Sequence, residues 1–186
     1  MGLASYIVYS SDIGMETERD DVIMCRGYDF FKENRRNAKI YKILPHLFFP
    51  DVDYHIWVDS NVTLNVEPME LIEKMDKDVA VFAHWERDCI YEEAIACQTR
   101  DDPRIIKEQM ERYRKEGYPE HAGLGMCFLI IRKNTKTVAT LNNAWWAEIC
   151  AGSVRDQLSF PYIYRDEVQY FDKVNYLQPN EYFTRT

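Results

Sequence analysis

Five short apolar runs, SYIVYSS, VIMC, YHIWVDSNVTL, DVAVFAHW and MCFLIIRK, are separated by stretches whose apolar residues recur at helical spacing. This alternation restricts the fold more than any other feature of the chain. Strands that alternate with helices predict an α/β fold: a mainly parallel central sheet flanked by helices. The spacing predicts a helix over Asn34–Phe49, with Ile40, Leu44 and Leu47 on one face and Pro45 ending or kinking it. Pro68 opens a second helix in PMELIEKM. Asp102 before Pro103 starts a third, with Ile106, Met110 and Tyr113 along one side and Gly117 as its stop. NAWWAEIC and SVRDQLSFPYIY also read as helical, DIGMETERDD as a polar loop, and the tail after RDEVQYF as irregular.

Sheets of this kind bind ligands at the carboxyl ends of their strands. The run through Ile56, Trp57 and Val58 stops there on Asp59, Ser60 and Asn61. A carboxylate and an amide two residues apart suit Mg²⁺ or Mn²⁺ when substrate phosphates supply further ligands, and equally suit an Asx-turn closing the strand. Just before this strand, NRRNAKIYK carries Arg35, Arg36, Lys39 and Lys42 at helical spacing, either a diphosphate-neutralising face or a solvated one. In HWERDCIYEE, His84 is a metal ligand or a structural histidine, and the acids and Arg87 read as ordinary ion pairs or as cleft-facing groups. Gly123 and Gly125 before MCFLIIRK allow positive φ or close backbone approach, without the spacing of a dinucleotide fingerprint. In SVRDQLSF, Asp156 and Gln157 offer a base and a hydrogen-bonding amide, unless Ser153 and Asp156 form a capping box.

A length of 186 residues fits a single domain, 1–186, with a core that needs neither disulfides nor a metal to fold. Five cysteines without a C-x-x-C pair fit a reduced compartment. The net charge of -8 argues against a nucleic-acid binder, yet leaves room for a small anion at a local basic patch. No apolar run reaches the roughly 20 residues that span a bilayer. The opening MGLASYIVYSS has neither the basic nor the long apolar segment of a signal peptide, and Tyr6 breaks the acylation pattern. These features lead us to expect a soluble domain, cytoplasmic or cut from a longer parent.

Four segments, NRRNAKIYKILPHLFFPDVDYHIWVDSNVTL, HWERDCIYEEA, YRKEGYPEHAGLGMCFLIIRK and WWAEICAGSVRDQLSFPYI, resemble in this order the glycosyltransferase-like domain formerly catalogued as a domain of unknown function. That domain occurs in plant Golgi proteins, bacteria and large viruses, and the resemblance runs from about Arg35 to Tyr164. It implies the nucleotide-sugar-binding GT-A fold, a mixed, mostly parallel central sheet flanked by helices, in which an acidic motif after a central strand holds Mn²⁺ or Mg²⁺ against the donor diphosphate. On this resemblance Asp59 and Asn61 are the metal ligands, with Asn61 where the wider fold has a second aspartate, which implies a weaker or optional metal. It places Ser10, Arg35, Lys39, Asp59, His84, Arg87 and Glu93 about the donor, and Arg155, Asp156 and Gln157 on the catalytic side, Asp156 being the candidate base of an inverting enzyme.

The implied function is transfer of a sugar from a nucleotide-diphosphate donor to a hydroxyl of a glycan or small-molecule acceptor, assisted by a divalent metal. Two other classes compete. A non-catalytic module would bind nucleotide sugar or glycan without turnover, and a metal-dependent phosphohydrolase or nucleotidyltransferase would need more carboxylates than this motif provides.

Overall fold

The computed structural model describes residues 4–11 and 21–185. Its main sheet contains β1 (Tyr6–Ser11), β2 (Ile23–Cys25), β3 (Tyr54–Val58), β5 (Val79–Ala83), β6 (Gly125–Lys133) and β7 (Val168–Phe171), in the order β2-β1-β3-β6-β5-β7. β1 pairs parallel with β2 and β3, and β5 parallel with β7, while β6 runs antiparallel to both β3 and β5. The expected mixed, mostly parallel sheet flanked by helices is therefore present. Residues 12–20 of the expected polar loop lie outside the described residues.

Alternation along the strands gives the sheet two apolar faces. Tyr9, Trp57, Val81 and Ile130 pack toward α1 (Asn34–Ile43), α6 (Lys136–Ala151) and α7 (Asp156–Tyr164). Ile56, Val58, Ala80, Leu129 and Ile131 pack toward α3 (Pro68–Glu73) and a two-stranded sheet formed by β4 (Val62–Leu64) and β8 (Phe183–Arg185). A third cluster joins α4 (Ile90–Ala96), α5 (Pro103–Lys115) and Leu158. α5 starts as expected, with the Asp102 carboxylate accepting the Arg104 backbone N–H, and Gly117 beyond its end has φ of 78°.

The helix expected over Asn34–Phe49 is two elements. α1 ends at Ile43, and Pro45 becomes the first residue of the short α2 (Pro45–Phe48). Proline lacks the N–H that would continue α1, and it suits a first turn. The change of direction leaves Leu47 exposed while Ile40 and Leu44 stay buried. Arg132 of β6, wholly buried, closes the open carbonyl end of α1: its guanidinium donates to Ile43 O at 3.3 Å and to Lys42 O, and also to Tyr9 Oη and Asn142 Oδ1. A core side chain thus fixes the last turn of α1, and with it Lys42.

The two glycines at the start of β6 differ in purpose. Gly123 has φ of 95°, a conformation disfavoured for other residues. At Gly125, a Cβ would come within 2.7 Å of Val81 Cγ2, beside the register shift between β5 and β6. VQYF forms β7, and the tail after it, expected to be irregular, instead contributes β8. Among the described residues no helix is long and apolar enough to cross a membrane.

Candidate functional site

A cleft of about 670 Å³ opens at the carboxyl ends of the parallel strands. Ser11 ends β1, Asp59 follows β3, His84 follows β5, and Met126 and Cys127 open the reversed β6 at the same edge. Seven Lys or Arg side chains line it against four Asp or Glu, so the cleft is net cationic within a chain of net charge -8. Such a local reversal favours an anionic ligand.

Four charges form the floor. Residues two apart on a strand share a face, so Trp57 and Asp59 project together, and Trp57 Nε1–H donates to Asp59 Oδ1 at 2.8 Å. Lys42 Nζ lies 3.3 Å from the same Oδ1 and 2.7 Å from Asp156 Oδ2. Its ammonium also sits 5.2 Å from the Trp57 ring centroid. Lys39, one turn earlier on α1, reaches the same Asp156 oxygen at 2.8 Å. Burial alone would push the Asp156 carboxyl up, but Lys39, Lys42 and Arg155 together hold it well below the usual carboxylate range. Burial opposes the Lys42 charge as well, yet Asp156 and Asp59 outweigh it and raise its proton affinity. Asp156 is therefore a fixed anion and a weak base.

One wall is a second charge cluster. Glu93, buried on α4, accepts from Arg87 Nε at 2.9 Å and lies 3.5 Å from Arg155 Nη2. Arg155 Nη2 donates in turn to Gln157 Oε1 at 2.8 Å, and Gln157 Nε2 to the Gly125 carbonyl at 3.3 Å. His84 Nδ1 accepts the backbone N–H groups of Glu86 and Arg87, each at 3.2 Å. Burial lowers its proton affinity, so this ring is a neutral brace for the loop and its Nδ1 is committed.

The structure brings Arg35, Lys39, Asp59, Asn61, His84, Arg87, Glu93, Arg155, Asp156 and Gln157 to one cleft. Arg35 is half exposed at the mouth, where it donates to the Arg100 carbonyl. Ser10 is wholly buried and does not line the cleft; strand alternation gives that place to Ser11, whose buried Oγ has no hydrogen-bond partner among the described residues. The capping-box alternative does not hold. α7 begins at Asp156 itself, and Ser153 Oγ accepts Arg155 N–H while donating to Asp101. Sequence reasoning missed Trp57 as a partner of Asp59, and missed Tyr176, Leu177 and Arg185, which the tail folds back into the cleft. Tyr176 packs on Phe128 at 4.7 Å and lines the cleft together with Asn61. Lys42 was visible as a charge on the basic face, but its central position depends on where α1 meets β3.

Among the described residues one group of His, Asp and Glu is arranged as a metal site. Asp88, Glu92 and His121 offer ligand atoms within 4.8 Å of one another, all exposed and outside the cleft lining. The set can hold a divalent cation. His121 Nδ1 lies 2.6 Å from Asp88 Oδ1, and that contact raises the imidazole pKa.

Residues 21–181 match the family described as TOD1/MUCI70, glycosyltransferase-like domain. Similar proteins include a probable hexosyltransferase, MUCI70, of Arabidopsis thaliana, 26% identical over 152 residues, which are 74% of this chain and 26% of that protein. The alkaline ceramidase TOD1 of the same plant is 28% identical over 154 residues, 75% of this chain and 33% of that protein. The chain thus spans a quarter to a third of the length of these relatives. Among solved structures, a glycosyltransferase involved in glycosylation of the major capsid of PBCV-1 superposes with a TM-score of 0.54 at 10% identity, covering 90% of this chain and 82% of that one. That likeness shows the GT-A-like fold.

Proposed function

This chain belongs to the TOD1/MUCI70 glycosyltransferase-like domain family, and from that premise we propose that it transfers a hexosyl group from a nucleotide-diphosphate sugar to an acceptor hydroxyl. The observation that carries the reading is the Lys39–Lys42–Asp156–Asp59 cluster at the strand-end floor of a cationic cleft. In transfer, the acceptor oxygen bonds to the anomeric carbon while the bond from that carbon to the diphosphate oxygen breaks, and the acceptor's hydroxyl proton passes to the departing diphosphate oxygen. Negative charge then grows on the diphosphate, and fixed ammonium groups stabilise it without reorganising. Asp156 serves by holding both lysines in place, in preference to taking the hydroxyl proton. Arg155 and Gln157, tied to Glu93 and the Gly125 carbonyl, orient the sugar side.

The Asp59–Asn61 pair fits a resident Mn²⁺ or Mg²⁺ poorly. Asp59 Oδ1 is already held by an ammonium and an indole N–H, and its companion Asn61 is a neutral amide that brings no second charge. No step here is routed through a metal. A phosphohydrolase or nucleotidyltransferase would need free carboxylates to gather ions, whereas Asp156 and Glu93 are each bound to cations. Ceramide hydrolysis, suggested by the name of one relative, calls for a long apolar channel, and a wall and floor of charged groups suit a polar anion better. A module that only binds nucleotide sugar remains the alternative, and turnover separates the two.

The test is release of nucleoside diphosphate from a panel of nucleotide sugars. We expect release from one donor, lost in Lys42→Met. Absence of both release and binding for every donor would overturn the reading.

A further inference from the structure

We propose that the cation facing the donor diphosphate in this cleft is the Lys42 ammonium and that donor binding requires no divalent metal. The inference rests on the nucleotide-sugar reading above and specifies how that site meets its charge. A metal ion on Asp59 would bind one of its oxygens at about 2.0–2.2 Å and seek a second oxygen ligand from the protein. Lys42 Nζ already stands 3.3 Å from Asp59 Oδ1, so an ion there would sit against a like charge. The ammonium has no easy retreat. Its side chain is 5% exposed, held by Asp156 Oδ2 at 2.7 Å and flanked by the Trp57 ring. On the other side of the motif, the second ligand is the neutral Asn61 amide rather than a carboxylate, so it adds no charge to hold an ion.

Donor accounting points the same way. An ammonium has three N–H groups. Lys42 spends two, on Asp59 and Asp156, and Lys39 spends one, on Asp156. Among the described residues the pair therefore keeps three N–H groups for a ligand beside an open cleft. Phosphate oxygens are strong acceptors for such donors. Asp59, in this account, anchors the lysine from the solvent side, since its side chain is 37% exposed while that of Asp156 is 7%.

Calorimetric titration with UDP, GDP, ADP and CDP, in EDTA and in Mn²⁺, tests the inference on wild type, Lys42→Met and Asp59→Asn. We expect one diphosphate to bind in EDTA, with no gain from Mn²⁺. Lys42→Met should weaken that binding by about 10- to 100-fold, the loss of one or two charge-assisted hydrogen bonds. Asp59→Asn should tighten it by about threefold or more, because a negative charge beside the ammonium is removed. Asp59→Asn also guards against a fold lost in Lys42→Met. Binding that needs Mn²⁺ and disappears in Asp59→Asn would overturn this inference and leave the transferase reading standing. No binding of any diphosphate in either condition would overturn the transferase reading, and the inference with it.

Discussion

Asp156 holds two ammonium groups with one buried oxygen, and that arrangement has consequences for stability as well as for the ligand. Removing one charge from a buried set leaves its partners uncompensated, so Asp156→Asn should lower stability by roughly 3 kcal/mol. Chemical denaturation near neutral pH checks this; an unchanged midpoint with lost turnover would instead mark Asp156 as a catalytic base. Its folded pKa is depressed, so its stabilisation is present above the ordinary value of 3.8 and is lost as the pH falls below it. His55 acts at higher pH. Its Nε2–H donates to Phe49 O at 2.8 Å, its buried Nδ1 has no partner among the described residues, and burial pushes its pKa down to about 4. The unfolded ring takes up a proton from about pH 6.5 downward, and the folded ring resists until about 4. Stability should therefore fall across that window, by about 3 kcal/mol. Urea unfolding between pH 7 and 4.5 measures the slope, which His55→Gln should flatten.

At the scale of the elements, side chains at strand and helix ends were legible where a single residue type dictates the geometry. Asp102, Pro68 and Gly117 mark helix ends through their own backbone or cap chemistry, and the structure agrees. Pro45 was readable as a break but not as the start of a new helix, because the direction after it depends on packing that exposes Leu47. Ser153 and Asp156 have the spacing of a capping box, yet tertiary partners win: Asp101 takes the serine and α1 takes the aspartate. Gly125 shows how element geometry reaches the cleft, because its carbonyl holds Gln157 while its missing Cβ admits Val81. Gly125→Ala should force β5 and β6 apart, costing about 1–3 kcal/mol. The shift should also weaken sugar-side binding; a variant as stable as wild type would contradict the close approach.

For the whole molecule, the alternation of apolar runs and helical stretches was enough to expect a mainly parallel sheet with its site at the strand ends. The reversal of β6 was not legible. MCFLIIRK is buried on both faces and has the same pattern in either direction, so only its neighbours β3 and β5 settle its orientation. Nor was the return of the tail, since β8 is three residues long and finds its partner β4 across more than a hundred positions. That return brings Tyr176 and Arg185 to a cleft whose charge opposes that of the chain. Diphosphate affinity should accordingly fall as ionic strength rises.

A donor lying on the Trp57–Asp59 floor would be reported by the four tryptophans. Trp57 and Trp85 line the cleft, Trp145 is buried against Phe160, and Trp146 packs on Phe31. In a two-dimensional NMR titration of the indole N–H signals with nucleoside diphosphate, Trp57 and Trp85 should shift while Trp145 and Trp146 stay unmoved. Saturating ligand that leaves Trp57 in place, or moves Trp146 instead, would contradict it.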